Sequence, residues 1–138
     1  MATEPLELTL TDAQTGAIAT IEPARGGIVT RFDIGDRRVL FLDSATLRDP
    51  TKNVRGGVPV LFPSPGKLVD DAWSYAGHRG SMKQHGFARN LPWHVAQSSA
   101  SVATLTLAAN DDTRAQFPWA RAICSLRGGD GSIQESSN

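Results

Sequence analysis

Thirteen glycines and eight prolines interrupt this 138-residue chain about every six or seven residues. Proline removes a backbone donor and fixes φ, and glycine weakens a helix interior, so long helices are excluded. The short segments between these breaks alternate with period two. In Ser101–Ala109 the apolar Ala103, Leu105 and Leu107 interleave with Thr104 and Thr106, the pattern of a half-buried strand. Ala120, Ala122, Cys124 and Leu126 alternate in the same way with Arg121 and Ser125, and Ile123 is the exception. Further strands are predicted over Leu6–Leu10, Ala17–Glu22, Gly27–Ile34, Arg38–Leu42, Val58–Phe62 and Trp93–Gln97. Asp111–Gln116 reads as the one helical turn, capped by Asp111 or Asp112 and stopped by Pro118. Many short alternating strands joined by Gly/Pro turns predict an all-β fold, an antiparallel β-sandwich or barrel-like sheet.

Composition narrows the function classes. Hydrophobic residues make up 40% and charged residues 20%, enough to bury a core in one domain or a large part of one. Fourteen basic residues balance fourteen acidic ones, so the basic excess of a nucleic-acid or anionic-lipid binder is missing. No apolar run approaches the roughly 18 residues of a membrane span. Met1 to Pro5 has neither the basic region nor the apolar stretch of a signal peptide, and a cytoplasmic location is expected. The single cysteine, Cys124, cannot form an internal disulfide and reads as an inert core residue.

Gly and Pro crowd most densely over Asn53–Asn90, and a loop of that length in a compact domain points to function. Pro65-Gly66-Lys67-Leu68 is not a phosphate loop. Leu61 stands where the first glycine of that motif belongs, and Leu68 where Ser or Thr belongs. The spacings of His78, His85 and His94 match no zinc pattern, and no nucleophile elbow surrounds Ser64 or Ser81. His85 differs from the other two histidines because Gln84, Arg89 and Asn90 surround it with polar groups across Gly86. Its segment is either a surface loop with a satisfied histidine or one wall of a pocket for a polyhydroxylated ligand. Phe62, Trp73, Tyr75, Phe87 and Trp93 are either core or platforms for the apolar face of a sugar. After Leu126, Arg127-Gly128-Gly129-Asp130-Gly131 reads as a hairpin turn, and Ser132–Asn138 looks too short and polar to return as a strand.

Two motifs together carry a resemblance. Arg55-Gly56-Gly57-Val58-Pro59-Val60-Leu61-Phe62-Pro63-Ser64-Pro65-Gly66-Lys67-Leu68 is followed by Trp73-Ser74-Tyr75-Ala76-Gly77. Then comes Gln84-His85-Gly86-Phe87-Ala88-Arg89-Asn90, with Trp93 beyond it. In content, order and spacing these resemble the aldose 1-epimerase family, the mutarotases of the galactose-mutarotase-like fold, including their hexose-6-phosphate branch. The resemblance extends weakly over the N-terminal strands and through Asp112–Trp119, nearly the whole chain. It implies a large antiparallel β-sandwich of which residues 1–138 are the N-terminal part of a single domain, incomplete at its C-terminal end.

The resemblance also implies a reaction. A base takes the C1 hydroxyl proton of a pyranose while an acid protonates the ring oxygen. The ring opens, the aldehyde end rotates, and the ring closes as the other anomer, with no metal or organic cofactor. His85 resembles the family's first active-site histidine and is the catalytic candidate. Arg55 resembles the arginine that holds sugar oxygens or a phosphate, while Gln84, Arg89 and Phe62 are expected to complete the substrate-binding set. The implied partner is a small sugar or sugar phosphate, with neither nucleic acid nor membrane. In the family a later histidine and a late glutamate supply the acid and the base. No histidine follows His94 here, and Glu135 lies in the polar tail without a family motif. The chain itself is therefore expected to be inactive, and the alternative reading is a non-catalytic sugar-binding or interaction module. A sandwich cut partway leaves unpaired strand edges, so self-association is expected.

Overall fold

Two four-stranded antiparallel sheets and one hairpin make up the strands of this computed structural model. It describes residues 7–119 in full, and the strands Arg121–Arg127 and Ile133–Ser136 by their backbone. The first sheet runs in chain order through β1 (Leu8–Thr11), β2 (Ile18–Glu22), β3 (Ile28–Ile34) and the short β4 (Arg37–Arg38). Asp12 closes the first hairpin by accepting from the amides of Gln14 and Thr15, both at 3.2 Å, and from the Thr15 hydroxyl. Between β2 and β3 the register slips at Thr20/Ile21, leaving Thr30 without a direct partner. Beside this bulge the neighbours Thr20 and Ile21 are both buried. The Thr30 hydroxyl donates to the Thr20 carbonyl at 3.3 Å, so the extra residue does not strand a buried polar group.

The second sheet has the order β10-β9-β8-β7, with β7 at His94–Ser98, β8 at Val102–Ala108, β9 at Arg121–Arg127 and β10 at Ile133–Ser136. Alternation places Ala103, Leu105 and Leu107 of β8 in the core, as the sequence predicts. They meet Leu10 and Ile21 of the first sheet, with Trp93 and Ala88 completing the cluster between the layers. Each fully buried Leu or Ile contributes roughly 1.5–3 kcal/mol by leaving water. Trp93 satisfies its one donor inside the core, giving its indole N–H to the Ala88 carbonyl at 3.0 Å.

Several expectations are corrected. Of Arg38–Leu42 and Val58–Phe62, only Arg38 lies in a strand. The remainder makes single bridges, Leu42 to Gly56, Val58 to Val29 and Phe62 to Gly86. Gly56 and Gly57 at φ 92° and 66° turn the chain, and Pro59 and Pro63 lack the N–H that a ladder needs. Inside the dense loop region, where no strand was predicted, lies a hairpin, β5 (Ala72–Tyr75) with β6 (His78–Ser81). Its exposure on both faces removes the alternation that would have disclosed it. A five-residue helix, α1 (Ser44–Arg48), also escapes periodicity because it buries nothing; Asp43 caps it by accepting from the Ala45 amide at 3.0 Å. The predicted helical turn is α2 (Asp111–Gln116), but its cap is Asn110 and not Asp111 or Asp112. Asn110 Oδ1 accepts from the Thr113 amide and Thr113 Oγ1 accepts from the Asn110 amide, both at 2.9 Å, a reciprocal box that either aspartate would have formed one or two residues late.

The polar tail does return. Ile133–Ser136 pairs antiparallel with Ile123–Leu126, since an edge strand is held by its backbone and needs no apolar face. The expected turn over 128–131 lies outside the described residues. So do the side chains of Cys124 and Leu126, whose burial was expected; the register sets Cys124 opposite Leu105 and Leu126 opposite Ala103. Among the described residues no helix is long and apolar enough to cross a membrane.

Candidate functional site

The two motif segments, about twenty residues apart in sequence, are clasped side by side. The His85 amide donates to the Gly66 carbonyl at 3.0 Å, and the amides of Phe87 and Ala88 both donate to the Phe62 carbonyl, at 3.0 and 3.1 Å. Gly86 sits in the left-handed region at φ 67°, and a Cβ there would collide with the Phe62 carbonyl. Only glycine lets the strands approach this closely. Ser64, buried beneath the turn, donates its hydroxyl to the Gly66 carbonyl at 3.0 Å.

His85 is also left-handed, at φ 71°, which is costly for a residue with a Cβ. Its half-buried ring is anchored by Nδ1, 2.8 Å from the Pro65 carbonyl. A carbonyl can only accept, so this bond places a proton on Nδ1. In the neutral ring Nε2 then carries the lone pair, free to accept a hydroxyl proton and later return it. Tautomer and ring direction are thus fixed by the same loop that strains the backbone.

The other sequence candidates occupy different surroundings. Arg55 is held by its backbone, its amide donating to Thr46 Oγ1 at 3.0 Å and its carbonyl accepting from the Asp43 amide at 2.9 Å. Its exposed guanidinium has no hydrogen-bond partner among the described residues. Phe62 is engaged edge-on by Phe87 and Phe117, with ring centroids 6.2 and 5.7 Å apart, and packs against the core. Gln84 is exposed. Arg89 is half-buried and lines a separate cleft with Arg25. Neither the Arg55 nor the His85 side chain lines the clefts around Trp119, around Lys67–Asp71 or around Arg25. His94 is exposed at the start of β7.

What sequence reasoning missed is an aromatic cleft of about 500 Å³ beside His85, walled by Trp73, Tyr75, Met82, Phe117 and Trp119. Pro65 joins the two features, since it lines the cleft and its carbonyl holds the His85 ring. Trp119 is the hub, with its ring 4.7 Å from Phe117, 5.4 Å from Trp73 and 5.8 Å from Tyr75. Trp73 is oriented by its indole N–H, which donates to the Gln116 carbonyl at the end of α2 at 2.9 Å. Trp73 and Tyr75 were visible as aromatics near the motif. Phe117 and Trp119 were not, because more than thirty residues separate them from His85 and only the fold brings them back. Such a cleft suits the C–H face of a ring ligand, with polar contacts supplied at its edge.

No family model matches the chain. Over 72 residues it is 38% identical to a protein of Cenchrus ciliaris, covering 51% of this chain and 18% of that protein. Over 91 residues it is 33% identical to one of Escherichia coli (strain K12), covering 61% and 27%. Both are named "Putative glucose-6-phosphate 1-epimerase". Among solved structures, the Slr1438 protein of Synechocystis superposes with a TM-score of 0.78 at 39% identity, over 91% of this chain and 46% of that one. A galactose mutarotase-like protein of Lactobacillus casei superposes at 0.73 and 24% identity, over 92% and 41%, a likeness of fold. The chain therefore spans less than half the length of the proteins it matches. Over that span, sequence and architecture agree: the chain has the antiparallel β-sandwich of the galactose-mutarotase-like fold and is similar in sequence to proteins named "Putative glucose-6-phosphate 1-epimerase".

Proposed function

We propose that the chain binds an aldohexose or its 6-phosphate, as part of a protein of the aldose 1-epimerase type that interconverts sugar anomers. The observation that carries this reading is His85, strained into the left-handed region and tied through Nδ1 to Pro65, a residue that itself lines an aromatic cleft. Strain of this kind is retained where an atom must be held in place for a ligand. In this reading the pyranose lies with its C–H face on the aromatic wall. His85 Nε2 exchanges a proton with a hydroxyl near C1, and Arg55 takes sugar oxygens or a phosphate. A guanidinium stays protonated, so Arg55 orients and neutralises but moves no proton. Gln84 is a further hydroxyl partner. The relatives' names support the phosphorylated substrate. A cytoplasmic location belongs to the same reading, because a sugar phosphate is too polar to leave the compartment where it is made. Residues 1–138 are read as part of one such domain.

The test is a titration of glucose 6-phosphate and glucose into the 15N-histidine-labelled chain. A saturable shift of the His85 ring nitrogens, tighter for the phosphate and lost in His85→Ala, is expected. Arg55→Met should erase the preference for the phosphate. No ring shift with either sugar, in a folded chain, overturns the reading. Polarimetry on the same samples separates catalysis from binding alone. A positioned acid or base supplies roughly 10²–10⁴ in rate, and this chain offers one motif-supported group, so anomer equilibration little faster than in buffer is expected.

A further inference from the structure

Gly80 is a glycine for which the backbone gives no reason. Its φ is not positive, and it sits inside β6, where a glycine loses more chain entropy on folding than alanine and has no side chain to pack. The reason lies across the hairpin. Gly80 is the register partner of Trp73, and directly opposed residues of an antiparallel pair project from the same face. The indole lies over the glycine. A Cβ at Gly80 would meet Trp73 Cζ2, Cε2 and Nε1 at 2.5, 2.6 and 2.8 Å. Trp73 and Gly80 are the two half-buried positions of an otherwise exposed hairpin.

The ring is not free to retreat. The atoms that a Cβ would strike belong to the edge carrying the indole N–H, which the Gln116 carbonyl holds at 2.9 Å. A methyl group at Gly80 therefore either lengthens that bond or tilts the ring. Both shift Trp73 against Trp119 and Phe117, whose rings lie 5.4 and 6.3 Å away. All three rings line the aromatic cleft. We propose that Gly80 is a positioning residue for sugar binding: its missing side chain seats the Trp73 indole so that the cleft takes the C–H face of a pyranose. This role rests on the sugar-binding reading of the cleft given above. It is blind to charge, so it bears on glucose and glucose 6-phosphate alike, unlike that of Arg55.

The test joins a melting cycle to the two sugar titrations of the 138-residue chain. Gly80→Ala should lower the melting temperature of the wild type. In a Trp73→Val background it should raise it, because the obstacle is gone and only the advantage of alanine over glycine remains. In Gly80→Ala the Trp73 indole proton should move upfield as its bond to Gln116 weakens. Both sugars should bind about tenfold more weakly with the preference for the phosphate unchanged, while Ser81→Ala, next to it on β6, binds both as the wild type does. If Gly80→Ala does not fold, the Trp73→Val background decides: the double variant must fold and melt above Trp73→Val, and Trp73→Val must weaken both sugars equally. Wild-type affinities with an unmoved indole proton in Gly80→Ala, or the same Gly80→Ala penalty with and without Trp73, overturns the proposal. A wild-type chain that binds neither sugar overturns the reading of the cleft, and the sugar role of Gly80 with it, even where the melting cycle shows the seat intact.

Discussion

At the scale of single residues, backbone conformation and local charge decide more than residue type. His85 carries its cost in φ, and a residue without a Cβ removes that cost. His85→Gly is therefore expected to melt above His85→Ala, while both lose the ring shift with glucose 6-phosphate; equal melting temperatures would show the left-handed conformation to be unstrained. Glu22 is governed by burial, which pushes its carboxyl above the ordinary 4.5, with Glu7 adding to the rise and Arg25 and Arg48 opposing it. A carboxyl raised by folding holds its proton more tightly folded than unfolded, so its ionisation takes stability away as pH rises through the folded value. Glu22→Gln should raise the melting temperature at neutral pH and change it little well below 4.5, where both states are protonated. Denaturation curves across that range check both arms.

Among the elements, legibility followed exposure. β8 could be read from Leu105 and Leu107 alone, because one face is fully buried and period-two alternation reports burial. β5 and β6 are exposed on both faces and α1 buries nothing, so the same rule had no signal to find. The motif around His85 was legible as composition, but its left-handed turn and its bond to Pro65 depend on a carbonyl twenty residues away. Phe117 and Trp119 enter the aromatic cleft through α2, whose position no local pattern encodes. That makes α2 testable as a support. Asn110→Ala removes its cap and should cost about 1 kcal/mol in urea denaturation. It should also loosen the cleft, since the end of α2 holds the Trp73 indole, and tryptophan fluorescence should shift to the red. A cap loss with unchanged fluorescence would separate the two.

For the molecule as a whole, the exposed apolar surface matters most. Phe41 is 74% exposed, and Ile34 and Val39 near it are about half exposed, all at the β3–β4 end of the first sheet. In the second sheet β7 and β10 are the outermost strands. Exposed apolar side chains and unpaired edges favour self-association. Light scattering after size exclusion should show a mass that rises with concentration, and Phe41→Ser with Val39→Thr should lower it. A monomer at every concentration would mean that this surface is tolerated as it stands.

The clasp between the two motif segments has a consequence in time. The amides of His85, Phe87 and Ala88 are all bonded to carbonyls of residues 62 and 66, so none can reach solvent unless that clasp parts. Parting it also frees Pro65, and with it one wall of the aromatic cleft. Deuterium uptake at these three amides should therefore proceed at a common rate, and a sugar that occupies the cleft should slow all three together.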